Sequence, residues 1–354
     1  MDEKRAQELI EKIKQGVTEE VKKEIEKELK ENIIPQFTKG VDDKKKASET
    51  FRDIIKALWN NDWGQVKSLT ETDEGGAFIP TEVSKEVARL MGQVGLVRKA
   101  GARVFSLNNP TKVPVFSGAT LGSFTTEGST LTAVSDTLFS EVDFKLHKYI
   151  SIIPMSVELL EDAPGLVDLL TVLVAEDLAA REDYACLMFD TASGDPWDGI
   201  IKMADNVYTL TGDITDGTWE DLVKLRDAAP YQVKYSGAYF MHPSVWSFYQ
   251  SFKDSTNRPI FDLEKNTFAG RPVFEVPFLP AKGSTSGGKA VVVYGDFKYL
   301  WIGEKGGLSL EVMREATIGS TKLGEKDFRA LKFRKREGAV VVKTDAFAVM
   351  KTAA

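Results

Sequence analysis

Gly283-Ser284-Thr285-Ser286-Gly287-Gly288-Lys289 comes within one residue of the phosphate-cradling pattern GxxxxGK followed by Ser or Thr, in which backbone amides and a lysine meet phosphate. Ala290 stands where the hydroxyl belongs, and Ala290 to Tyr294 reads as a strand, whereas a phosphate loop opens a helix. The segment is therefore expected to be a flexible loop between strands. Two histidines, His147 and His242, and one cysteine, Cys186, give few ligands for a zinc site or a Cys/His dyad. His147 falls in an alternating strand, His242 precedes Pro243 at a helix start, and Cys186 sits in a helix-like run as a small apolar residue. The adjacent carboxylate pairs Glu161/Asp162, Glu176/Asp177 and Glu182/Asp183 invite acid/base chemistry. Helix neighbours point in different directions, and paired-carboxylate catalysis needs convergence across a cleft. All three pairs are expected on solvated or subunit-contacting faces, and no catalytic, cofactor or metal site is expected.

The informative elements are those that cannot stand alone. Between Lys112 and Lys145 two β-patterned arms flank a tip, Ser117 to Asp136, built mostly of Gly, Ser, Thr and small residues. Ordering such a stretch costs roughly 1–2 kcal/mol per residue in backbone entropy, with few apolar side chains to offset it. A hairpin of this kind is expected to lie on another subunit, with Phe124 and Leu131 as anchors in a neighbour's groove. Residues 2–31 hold ten acidic and eight basic residues, threaded by Leu9, Ile13, Val17, Val21, Ile25, Leu29 and Ile33 at helical spacing. That stripe predicts a charged helix directed at a coiled-coil or assembly partner, interrupted at Pro35 and Gly40 and ending in a boundary near Gly64.

Length allows two or three domains, and a single cysteine rules out internal disulfides and favours a reducing compartment. The charged N-terminus is unlike a signal peptide, and no apolar run reaches the length of a membrane span. The net charge of −7 offers no basic footprint for nucleic acid.

Along the rest of the chain, Asp73 to Pro80 reads as a glycine turn into an extended arm. Gly75 and Gly76 permit positive φ, and Pro80 blocks helix locally. Val142, Phe144 and Leu146 alternate with polar residues, and Tyr149 to Ile153 is an apolar strand. A long helix follows from a cap at Asp162, with Leu166, Leu170, Leu173, Ala180, Tyr184, Leu187 and Met188 as its apolar face and Gly194 just beyond its end. Thr218 caps a helix that Pro230 stops, Ala238 to Met241 is a strand, and Pro243 starts another helix. Strands Leu308 to Arg314, Leu331 to Arg336 and Ala339 to Lys343 close an α+β chain, the last two joined by a tight hairpin at Glu337-Gly338.

Taken in order, Glu74-Gly-Gly-Ala-Phe-Ile-Pro80, Met155-Ser-Val-Glu-Leu-Leu-Glu-Asp162, Arg181-Glu-Asp-Tyr184, Gly194-Asp-Pro-Trp-Asp-Gly-Ile200, Gly270-Arg-Pro-Val273, Pro280, Gly295-Asp-Phe297, Arg334 to Arg336 and Asp345-Ala-Phe347 resemble the tailed-phage major capsid proteins of the HK97 fold over nearly all of residues 70–350. The resemblance implies an N-arm (65–112), an extended β-hairpin loop (113–146), a peripheral domain with a long spine helix (147–204 and 319–354) and an axial domain (205–318). These follow a charged helical, scaffolding-like segment (1–64) of the sort that some relatives remove. It implies copies of the chain joined as hexamers and pentamers of an icosahedral head around double-stranded DNA. The DNA is held without sequence-specific binding, and portal, maturation protease and decoration proteins are further partners. Assembly in the host bacterial cytoplasm and residence in the virion follow, with no membrane. An encapsulin-type nanocompartment and a nucleotide-binding enzyme using residues 283–289 are the alternatives. Some relatives crosslink through an extended-loop lysine, but no lysine lies between Lys112 and Lys145, so no such isopeptide bond is expected. The residues singled out for assembly are Phe124, Glu127 and Leu131 in the tip, Gly75, Gly76 and Pro80 at the arm entry, and Leu166, Leu173 and Arg181 on the spine helix.

Overall fold

The computed structural model describes residues 53, 57, 71–73, 76–78, 81–107, 112–116, 139–156, 158, 166–253, 256–257, 261, 266–284, 287–314, 317–318, 321–324 and 328–353. Residues 1–70 and 71–354 are separate compact units, and in the first Asp53 and Ala57 are helical. The expectations for the charged helix of residues 2–31 and for the hairpin tip lie outside the described residues.

The second unit opens with an antiparallel pair, β1 (Glu71–Asp73) and β2 (Gly76–Phe78), in which Asp73 faces Gly76. Helix α1 (Thr81–Val94) buries Val87 and Met91, and a short α2 (Leu96–Lys99) follows. Next come β3 (Arg103–Ser106) and the hairpin arms β4 (Lys112–Phe116) and β5 (Phe139–Asp143), which pair from Lys112↔Asp143 to Phe116↔Phe139. Then β6 (His147–Ser156) leads toward the spine helix α3 (Leu166–Met188), a rod of about 35 Å at 1.5 Å per residue.

Beyond it lie α4 (Ile200–Met203), β7 (Asn206–Thr209), α5 (Trp219–Ala228), α6 (Tyr231–Lys234), β8 (Ala238–Met241), α7 (Pro243–Gln250), β9 (Thr267–Phe268), β10 (Arg271–Glu275) and β11 (Ala290–Gly295). The local signals hold here. Thr218 and Asp221 form a reciprocal capping box at the start of α5, and Pro243 occupies the first turn of α7 behind an N-cap at His242. The His242 Nδ1 accepts from the Ser244 amide at 3.1 Å, so this histidine has a structural task. The chain closes with β12 (Leu300–Met313), the small pair β13 (Thr317–Ile318) and β14 (Thr321–Lys322), β15 (Phe328–Val341) and β16 (Phe347–Lys351).

Two six-stranded sheets organise the unit. One runs β1-β2-β12-β15-β6 with β3 alongside β12, and the other runs β7-β16-β11-β8-β10-β9. Strand pairing crosses the boundary placed at 318/319, since β12 pairs with β15 while β16 joins β11 and β7 in the second sheet. The second sheet is sequestered on both faces at its centre. All four residues of β8 are buried, as are Val291 to Tyr294 and Phe347 to Met350. Phe240, Phe297 and Phe347 pack in series, the first pair tilted at 4.4 Å and the second edge-on at 5.5 Å, each ring contributing about 1.5–3 kcal/mol by leaving water.

Two sequence expectations need correction. Residues 337–338 do not turn; β15 runs unbroken through Glu337 and Gly338. The apolar face assigned to α3 holds only in part: Leu170 and Leu187 are buried and Tyr184 and Met188 half-buried, but Leu173 is 46% exposed and Ala180 is exposed, while Val174, Leu178 and Ala185, not assigned to it, are buried. The segment is apolar on nearly all sides, so periodicity alone could not choose the inward face.

Candidate assembly surface

The hairpin is seated on the first sheet by a pair of glycines. Gly303 of β12 and Gly338 of β15 face each other in register. A Cβ on Gly338 would stand 2.2 Å from the Lys145 carbonyl oxygen, and one on Gly303 would stand 2.6 Å from Leu107 and 2.9 Å from Phe144. Gly338 is thus required for close approach, as a strand glycine often is, which explains why a Gly that resembles a turn signal lies mid-strand. Phe144, 2% exposed, fills the slot and stacks nearly parallel to Trp301 with centroids 6.5 Å apart.

On the opposite face of the sheet, charge is buried. Arg98 of α2 donates from Nε and Nη2 to the two carboxylate oxygens of Glu182 at 2.6 Å each, and also donates to Glu304. The Lys335 ammonium lies 2.8 Å from Glu304, 2.9 Å from Glu337 and 3.7 Å from Glu182. Burial opposes both cations, but Glu182 and Glu304 outweigh it at Arg98, as do Glu337, Glu182 and Glu304 at Lys335. Both hold their protons more tightly than usual. Burial also works against ionised Glu304, yet Lys335 and Arg98 keep its pKa below the ordinary value. Glu337 moves the other way, raised by burial and by the like charges of Glu182 and Glu304. The three carboxylates come within 4.8 Å of one another, close enough for a metal ion, but the Lys335 ammonium already supplies the cation among them.

Asp183, next along α3, accepts from the amides of Leu96 and Val97 at 2.8 and 2.9 Å and so anchors the start of α2. Burial nevertheless outweighs these bonds and raises its pKa from 3.8 to about 6. The folded chain therefore binds this proton more tightly than the unfolded chain. The resulting stability is fully present below about pH 3.8 and is lost as pH rises through about 6. Asp183→Asn keeps one acceptor and removes the ionisation. Between about pH 7 and pH 4.5 the wild type should gain on the order of 2 kcal/mol more than the variant in urea unfolding. Equal gains would refute this assignment. Glu182 and Asp183, only 3% and 4% exposed, correct the expectation of solvated faces. Glu176 and Asp177 are exposed as expected, and Asp177 accepts from the Tyr149 hydroxyl.

A cavity of about 460 Å³ opens between β6, α3 and the loop around Trp197, with Lys148, Asp177 and Arg181 among its lining residues. Beside it, strand alternation places Lys148, Ile150 and Ile152 of β6 on the same face as Arg336, Arg334 and Lys332 of β15, their register partners. Ile150 and Ile152 are 46% and 38% exposed on this outer face, which Lys332 shares with its ion-pair partner Glu311 at 3.0 Å.

Of the residues singled out from sequence, Gly76 lies in β2, Leu166 begins α3, and Leu173 and Arg181 are exposed on α3. Gly75, Pro80, Phe124, Glu127 and Leu131 lie outside the described residues. Sequence reasoning missed the charged cluster. Its signal was two carboxylates, Glu182 and Asp183, set between Leu178-Ala179 and Ala185-Cys186-Leu187. Among its described residues the glycine loop holds no helix N-terminus. Gly283, Gly287 and Gly288 adopt positive φ, the Lys289 ammonium donates to the Ser284 carbonyl at 2.9 Å, and β11 follows directly.

The fold has counterparts among known proteins. The chain matches the phage capsid family over residues 75–352. It is 24% identical over 266 residues to a major capsid protein of Klebsiella oxytoca phage phiKO2, an alignment covering 71% of this chain and 61% of that relative's length. Among solved structures, the capsid of an empty GTA particle matches with a TM-score of 0.58 at 18% identity, covering 82% of this chain and 98% of that one. A structure from Gordonia phage Cozz matches with a TM-score of 0.55, also at 18% identity, covering 73% and 87%. The fold is thus the HK97-like α+β architecture of capsid shells, and this chain belongs to the phage capsid family.

Proposed function

We propose that this chain is the coat subunit of a phage head, self-assembling into hexamers and pentamers that close around double-stranded DNA, with no catalytic step. The observation that carries this reading is the family match across residues 75–352 on a fold that mounts a two-armed hairpin on a glycine slot. In this reading residues 117–136 overlay a neighbouring copy, the arm before β4 runs beneath another, and residues 1–64 act as a built-in scaffold. A portal, a maturation protease and decoration proteins are the accessory partners, and assembly takes place in the host cytoplasm. Among the described residues no helix is long and apolar enough to cross a membrane.

Size-exclusion chromatography with negative-stain imaging tests the proposal, because a coat protein should yield capsomers or polyhedral particles. Deleting residues 119–134 should leave a subunit with the parent's circular dichroism that forms no closed particles. Normal particles from that deletion would overturn the role given to the hairpin.

A further inference from the structure

Among the described residues, five buried side-chain nitrogen or oxygen atoms lack a hydrogen-bond partner. Three of them, His147 Nε2, Trp197 Nε1 and Glu337 Oε2, belong to side chains that line the one cavity between β6 and α3. The fold gathers them at one end of it. His147 and Glu337 are register partners on β6 and β15, so their side chains stand side by side on the inner face, and the His147 ring lies 5.7 Å from that of Trp197.

Each atom specifies what it lacks. An indole N–H only donates, so Trp197 needs an acceptor. The Glu337 carboxylate accepts, and the Lys335 ammonium, 2.9 Å from Oε2, is out of line for a hydrogen bond, so this oxygen needs a donor. His147 Nε2 serves either need, according to its tautomer. Alongside runs a wall of rings, with Trp197 packed on Phe189 at 5.1 Å and Phe189 on Tyr184 at 6.0 Å. Formal charge balances, since Asp177 and Glu337 in the lining are set against Arg181 and the adjoining Lys335. Flat apolar walls, a donor beside an acceptor and no net charge describe the counterpart of a neutral planar amide. The volume of about 460 Å³ also falls in the range of small-ligand sites.

We propose that this cavity binds a small, neutral, planar amide. The amide carbonyl accepts from Trp197 Nε1, its N–H donates to Glu337 Oε2, and its ring lies against Phe189 and Tyr184. The site is complete within one copy of the chain and goes beyond the shell reading, which it does not need. A ligand there bridges β6 to the spine helix and stabilises the folded subunit by mass action.

Benzamide is the probe, titrated into the full chain and followed by saturation-transfer difference NMR. Methyl benzoate keeps the ring and the acceptor and lacks the donor. Benzamide should bind saturably with a Kd on the order of 1 mM, and methyl benzoate should bind at least about tenfold more weakly, the scale of one hydrogen bond to a charged group. Trp197→Phe keeps the aromatic wall and removes the N–H, so it should weaken benzamide about fivefold. Trp219→Phe, at the exposed start of α5, should leave that affinity unchanged. The ratio of the two probes on the parent chain decides the matter even where Trp197→Phe fails to fold. Absence of saturable benzamide binding, which would mean that water alone satisfies the three atoms, overturns the proposal. So does equal affinity for methyl benzoate, or parent-like benzamide affinity in a folded Trp197→Phe chain.

Discussion

Lys335→Met should lower the unfolding free energy by about 3–5 kcal/mol, because it leaves buried carboxylates without their shared cation. Methionine keeps most of the side-chain volume, so the loss reports charge and not a cavity. The ammonium lies within 4 Å of Glu182, Glu304 and Glu337; without it only Arg98 remains against them. The deficit should also depend on pH. Removing the cation raises the proton affinity of Glu304 and Glu337 in the folded chain, so protonation becomes the relief, and the variant should recover stability as pH falls from about 7 toward 5. Adding Glu304→Gln and Glu337→Gln should restore part of the loss at neutral pH. Urea unfolding followed by tryptophan fluorescence measures all three. A deficit under about 1 kcal/mol, the scale of an exposed ion pair, would mean that the cluster is effectively solvated.

Gly338→Ala is the second large effect. The new methyl would meet a carbonyl oxygen at 2.2 Å, and because that oxygen belongs to the main chain no side-chain rotation relieves the contact. Either β15 or the root at Lys145 must shift, at a cost at or above the 1–3 kcal/mol usual for overpacking. The expected result is a folded subunit whose Phe144–Trp301 stack is broken, with raised solvent quenching of tryptophan and few or no closed particles. Gly92→Ala is the control: it lies in α1 with nothing within 4 Å of the added atom, and it should stabilise by about 0.5–1 kcal/mol. Parent-like particles from Gly338→Ala would show that the slot does not fix the hairpin.

Legibility in the sequence followed the range of the physics. Thr218, Pro243 and Ala238 to Met241 were readable because caps, proline geometry and apolar runs act over a few residues. Glu337-Gly338 misled because a glycine needed for close approach has the same local signature as one needed for a turn. The inward face of α3 was hidden because Val172 and Leu173, now exposed, are as apolar as Val174 and Ala175, now buried. Of the candidate surface, Arg181 was named, but nothing in its sequence neighbourhood shows that it borders a cavity beside Trp197. The half-buried Arg98 and Glu304 and the buried Lys335 lie far apart in sequence and meet only through tertiary structure.

The hairpin is strung between β3, which pairs with β12 from Trp301↔Arg103 to Glu304↔Ser106, and β6, which pairs with β15 from Phe328↔Ser156 to Glu337↔His147. A tug on the finger along the strand axes therefore loads these rungs in parallel, so no single one can be unzipped first. Through the charged knot on the reverse face, the same pull reaches α2 and α3. Mechanical stress at one contact is spread through the girder of the subunit before any local bond gives way.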